Sequence, residues 1–93
     1  MSKYEIMYIL KVLDEEKAKD AKMMVSEILT TNGATVSETK ELGVKQLAYP
    51  IQKETRGEYV VLKVEADKNA LDEFSRLTRM NKDVLRSMVL KDA

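Results

Sequence analysis

The chain has 93 residues, with 16 basic and 16 acidic side chains and neither cysteine nor histidine. That length supports one hydrophobic core of modest stability, and the missing cysteines exclude disulfides and thiolate chemistry. A formal charge of zero excludes whole-molecule attraction to polyanions, so any nucleic-acid contact must come from local patches.

No linker or low-complexity tract interrupts the sequence, so a single domain spanning 1–93 is expected. The apolar run from Ile6 to Leu10 ends at Lys11, too short for a signal-peptide core or a membrane span. A cytoplasmic protein with no membrane partner is therefore expected.

Tyr4 to Leu10 alternates in β-prone residues, and both faces of the alternation are apolar, which reads as a central strand. Asp14 is an N-cap candidate, with Glu15 and Glu16 where a helix dipole favours negative charge. Ala18, Ala21, Val25, Ile28 and Leu29 recur at helical spacing, and Asn32-Gly33 closes the helix. Ala34 to Ile51 lacks helical period and carries Glu38, Lys40, Glu41, Lys45 and Pro50, which discourage further strand pairing. It reads as a long edge strand, bulged at Gly43.

Lys53 to Gly57 reads as a polar turn, and Tyr59 to Ala66 alternates again, with Val60, Leu62 and Val64 on one face. Asp67 caps a second helix whose expected buried stripe is Leu71, Phe74 and Leu77. Val84 to Leu90 supplies a last strand. The order βαββαβ, with right-handed crossovers, predicts an α+β ferredoxin-like fold: a four-stranded antiparallel sheet with two helices on one face. Met7, Ile9, Tyr59, Val61 and Met88 then point away from the helices, a larger apolar patch than a free surface usually carries.

Chemistry finds little support. No glycine-rich elbow or phosphate cradle surrounds the serines, so no enzymatic activity and no small-molecule substrate is expected. Asp14-Glu15-Glu16 reads as helix capping rather than a metal site, because no second oxygen cluster completes a cage; neither metal nor cofactor is expected. The same acids would repel phosphate from the first strand–helix loop, where acylphosphatases bind theirs. "RGEYVVLKV" opens like the signature of RNA recognition motifs, but the stacking positions fall on Glu58 and Val60, so base stacking on the sheet is not supported.

Several short pieces carry a more specific likeness. Tyr4-Glu5 precedes an apolar strand, Asn32-Gly33-Ala34 ends the first helix, and "ELGVKQLAYPI" (41–51) is followed by Lys53. Gly57-x-Tyr59 opens the third strand, and Asp83-Val84-Leu85-Arg86-x-Met88-Val89 lies near the end. In this order and spacing the chain resembles the family of the sixth protein of the bacterial small ribosomal subunit. The resemblance implies a ferredoxin-like fold, no catalysis, and a structural place in the subunit's central domain. It also implies a heterodimer with the eighteenth small-subunit protein that binds ribosomal RNA, the isolated chain being a monomer.

Within that frame the expected RNA contacts are Lys3, Lys45, Lys53, Arg56, Arg79 and Arg86, with Arg79 and Arg86 ranked first because arginine forks match phosphate geometry. The expected partner contacts are Met7, Ile9, Tyr49, Tyr59, Val61 and Met88. Leu47 to Ile51 is expected to anchor the edge strand in the core. Many family members carry two adjacent basic residues at the start of the last strand, whereas Leu85 precedes Arg86 here, which lowers the RNA contact expected there. Many also extend past the point where this sequence stops at Asp92-Ala93, so a tail-borne partner contact is not expected. The alternative is a regulatory or self-association module holding a small ligand on its open sheet.

Overall fold

The computed structural model describes residues 2–91. Its elements follow the order β1 (Ser2–Lys11), α1 (Glu15–Thr31), β2 (Thr35–Ile51), β3 (Glu54–Ala66), α2 (Lys68–Met80) and β4 (Val84–Lys91). All pairings are antiparallel in one sheet ordered β2-β3-β1-β4. Asp92 and Ala93, on which the tail expectation falls, lie outside the described residues.

Local chemistry sets the helix boundaries. The Asp14 carboxylate accepts from the Lys17 amide at 2.9 Å, and Asp67 accepts from the Ala70 amide at 2.9 Å, so each helix starts on an acidic cap. At the end of α1 the Gly33 amide donates to Thr30 O and the Ala34 amide to Leu29 O. This paired arrangement needs a left-handed residue after the cap, and Gly33 stands at φ +88°.

Both helices cover the sheet face formed by Ile6, Tyr8, Leu10, Val60, Leu62 and Val64, all essentially buried. From α1 come Ala21, Val25 and Leu29, and from α2 Ala70 and Phe74. The buried stripe of α2 differs from the sequence expectation. It runs Ala70, Phe74, Thr78, with Leu71 and Leu77 only half-buried. Thr78 tolerates that position because its hydroxyl donates to Phe74 O at 2.7 Å, satisfying its polar atom inside the helix.

One ion-pair group ties α1 to the sheet. Lys22 reaches both Glu41 of β2 and Glu58 of β3, and it is only partly exposed. Desolvation lowers the Lys22 pKa, but the hydrogen bonds to Glu41 and Glu58 outweigh it and hold the ammonium above its ordinary range. Burial, reinforced by Glu41 and Glu58, pushes the Tyr8 phenol well up. Both groups therefore hold their protons more tightly in the folded chain than in the unfolded one. Stability complete below about pH 10 should fall as pH rises toward the folded-state values, by about 1.4 kcal/mol per pH unit per group. Urea unfolding between pH 8 and 11.5 checks this, and Tyr8→Phe should make the alkaline decline shallower by up to one proton's worth.

The β2–β3 hairpin is longer than expected. The chain turns on Gln52 and Lys53 alone, both at positive φ (+50° and +68°), with Ile51 opposite Glu54. Two consecutive positive φ values define a type I′ hairpin turn, whose twist matches the flanking strands. Glu54 to Gly57, expected as turn, is therefore strand. Its polar side chains suit the solvated ribbon that reaches past the helices.

Candidate interface on the open sheet face

Strand register lays out the uncovered face as rows of side chains. Nearest the hairpin, Gly43, Tyr59, Ile9 and Arg86 stand side by side across the four strands. The next row is Lys40, Val61, Met7 and Met88, and the next Glu38, Lys63, Glu5 and Leu90. The middle row carries the apolar strip. Met88 is 40% exposed and Leu90 55% exposed, while Met7 and Val61 are half-buried.

The row nearest the hairpin is not bare, which corrects the expectation for Ile9. Ile9 is only 5% exposed, because Leu47 and Leu85 pack on it with Ile51 and Tyr59 to make a second apolar cluster. Leu47 and Ile51 thus anchor the edge strand on the open face, not in the core beneath the helices. Two irregularities allow this. β2 loses register between Gln46 and Ile51, so the hairpin end curls over the sheet. In β4 the register shifts between Ile9 and Leu10, leaving Leu85 as an extra residue that can turn onto the same face as Arg86.

Gly57 is the contact that lets Ile9 lie flat. A Cβ at Gly57 would come 2.4 Å from Ile9 Cγ2 and 3.3 Å from Leu10 O. Ile9 Cγ2 is attached directly to a branched Cβ and cannot swing aside cheaply. Gly57→Ala should therefore cost about 1–3 kcal/mol by overpacking, read as a lower urea midpoint.

The cations do not form one set. Lys45 pairs across from Gly57, Arg56 across from Gln46, and Lys53 lies in the turn, so all three sit at the hairpin end of the molecule. The last turn of α2 brings Arg79 and the start of β4 brings Arg86 to that end, where both line a small concavity with Gln52. Lys3 lies at the other end of β1, across from Glu65 and eight residues from Lys11, about 27 Å away at the rise of an extended strand. Tyr49, expected as a partner contact, is 54% exposed and accepts a hydrogen bond from Arg86 Nη1. The Arg86 guanidinium carbon stands 5.7 Å from the Tyr49 ring centroid.

Two contributors escaped the sequence reading. Leu90 extends the apolar strip, and its parity with Met88 would have found it. Gln52 shares the lining of a concavity with the arginines, a juxtaposition across distant segments that no local pattern announces.

Residues 3–91 match the family model described as ribosomal protein S6. The chain belongs to that family. A search of solved structures also matches the crystal structure of 30S ribosomal protein S6 from Thermotoga maritima, with a TM-score of 0.91 at 22% identity. The match covers 98% of this chain and 87% of that one, and it supports the ferredoxin-like fold. As a member of the S6 family the chain is a structural protein of the small ribosomal subunit, not an enzyme. Among the described residues no group of acids is placed to hold a metal ion, and no helix is long and apolar enough to cross a membrane.

Proposed function

We propose that this S6 family protein is a cytoplasmic monomer when isolated and binds ribosomal RNA of the small subunit as a heterodimer with the eighteenth small-subunit protein. The observation that carries the reading is the division of the open face. An apolar strip, half-buried at Met7 and Val61 and exposed at Met88 and Leu90, lies beside an end bearing Lys45, Lys53, Arg56, Arg79 and Arg86.

The strip suits a protein partner, because apolar side chains in a row across three strands gain most from leaving water together. Phosphate contacts from the cations orient the complex, while RNA shape rather than base edges gives selectivity. A chain of zero net charge binds RNA weakly alone, and a basic partner strengthens the joint surface. Ile9 and Tyr49 support the interface indirectly, through the second cluster and through Arg86. Lys3, at the far end, belongs to a separate contact or to none.

The test is RNA affinity measured with and without the partner over a range of salt. The logarithm of affinity should fall with that of salt by roughly 0.7–0.9 per phosphate contacted, for about three to six contacts. A salt-insensitive complex, or a stable homodimer indifferent to RNA and partner, would favour the self-association module instead.

A further inference from the structure

Between the hairpin tip, the end of α2 and the start of β4 lies a concavity of about 120 Å³. Val84 and Leu85 form part of its wall, and Gln52, Arg79, Arg86 and Ser87 bring polar groups to it. Arg79 and Arg86 line the same concavity with no carboxylate beside them among the described residues, and a site flanked by two positive charges without a counter-charge favours an anion.

The donors left over have the right form. Arg86 uses Nη1 on the Tyr49 hydroxyl, which leaves the Nε and Nη2 pair free to grip two oxygens of one anion. Arg79 uses Nε on Ser75 O at 3.2 Å, which leaves both of its terminal nitrogens. Each arginine is thus held by one bond and keeps a fork, and the fork geometry matches phosphate.

Tyr49 is held in turn. Leu47 and Ile51, on either side of it, are packed into the second cluster, and Pro50 fixes the intervening backbone.

We infer that this concavity is a seat for a single phosphate group, gripped by Arg79 and Arg86, with Tyr49 as the positioning residue that aims Arg86. The inference rests on the RNA-binding reading above and deepens it: the natural ligand is one phosphodiester of the RNA backbone. Free phosphate shares the chemistry and is the other possible source. A single phosphate group carries no base, so the seat orients the backbone without reading sequence.

The experiment follows the Arg79 and Arg86 Nε–H resonances of the full chain during titration with inorganic phosphate, against chloride at matched ionic strength. Both signals should shift and saturate with phosphate only. Tyr49→Phe, which keeps the ring and loses the acceptor, should weaken the Arg86 response, and Arg79→Gln should remove saturation. In the partner-bound complex, Arg86→Gln should lower the salt slope of RNA binding by roughly 0.7–0.9, the value of one phosphate contact, and Tyr49→Phe should lower it by a smaller amount. A destabilised but correctly bound variant would leave that slope unchanged. If RNA binds with the expected slope and all three variants match the parent, the seat is overturned while the RNA-binding reading stands. If phosphate saturates but RNA bound by the partner complex never displaces it, the assignment of the seat to RNA is overturned and free phosphate is its ligand, while the RNA-binding reading still stands or falls on its own salt slope. Chloride shifting both signals as phosphate does overturns the seat outright.

Discussion

Phe74→Ala is expected to lower the unfolding free energy by about 3–5 kcal/mol. Phe74 is the one phenylalanine of the chain and is completely buried where α2 meets the sheet. Truncation removes its transfer free energy and leaves a cavity lined by side chains already packed against Val60, Leu62 and their neighbours, which cannot collapse to fill it. A chain of this length commands about 5–14 kcal/mol in all, so the variant should lose a large fraction of its stability and unfold at a much lower urea concentration. Chemical unfolding monitored by far-UV circular dichroism checks it. A loss under about 1 kcal/mol would mean that α2 contributes little to the core.

The second large effect should leave folding alone. Met88 is 40% exposed and stands directly across from Met7, in the middle of the apolar strip. On the proposed function, Met88→Glu places a carboxylate where a docked partner would exclude water. An unpaired charge buried at an interface costs several kcal/mol, so partner affinity should fall by about two orders of magnitude or more. In the free chain the new carboxylate stays solvated, and the unfolding free energy should change by no more than about 0.5 kcal/mol. Calorimetric titration with the partner, beside a urea curve of the variant alone, separates the two quantities. Equal affinities would remove the strip from the interface.

Together these substitutions describe a sheet with two unlike faces, and the sequence conveyed one of them well. The helix face follows from alternation in Tyr4 to Leu10 and Tyr59 to Ala66, and the helix limits follow from Asp14, Asp67 and Asn32-Gly33. Such signals are local, each acting within about one turn of helix or a few strand residues.

The open face was less legible because its form depends on broken register. β2 shifts register three times against β3, and each shift reverses which residues face which side. The alternation of "ELGVKQLAYPI" therefore could not show that Leu47 and Ile51 fold back over Ile9. Polarity also misplaced Glu54 to Gly57, which a solvated ribbon accepts as readily as a turn does. Arg79 and Arg86 were legible as cations, but their shared concavity was not, since it joins α2, β4 and a turn far apart in sequence.

The same curl explains how a small sheet keeps one face open without becoming generally sticky. The second cluster withdraws Ile9, Leu47 and Leu85 from water, and the Glu38–Lys63 pair flanks the strip on its other side at 3.7 Å. Such exposed pairs add little stability, but they leave Leu90 as the one apolar side chain in their row and so limit the apolar area. Exposed charges on β2 protect its outer edge from further strand pairing.

Methyl resonances of the six methionines, followed while the eighteenth small-subunit protein is added, test the account most directly. Met7 and Met88 should shift and saturate together, while Met23 and Met80, exposed on the helix layer, stay in place. Shifts confined to Met23 and Met80, with Met7 and Met88 unmoved, would mean that the partner docks on the helices, and the open sheet face would lose its assigned role.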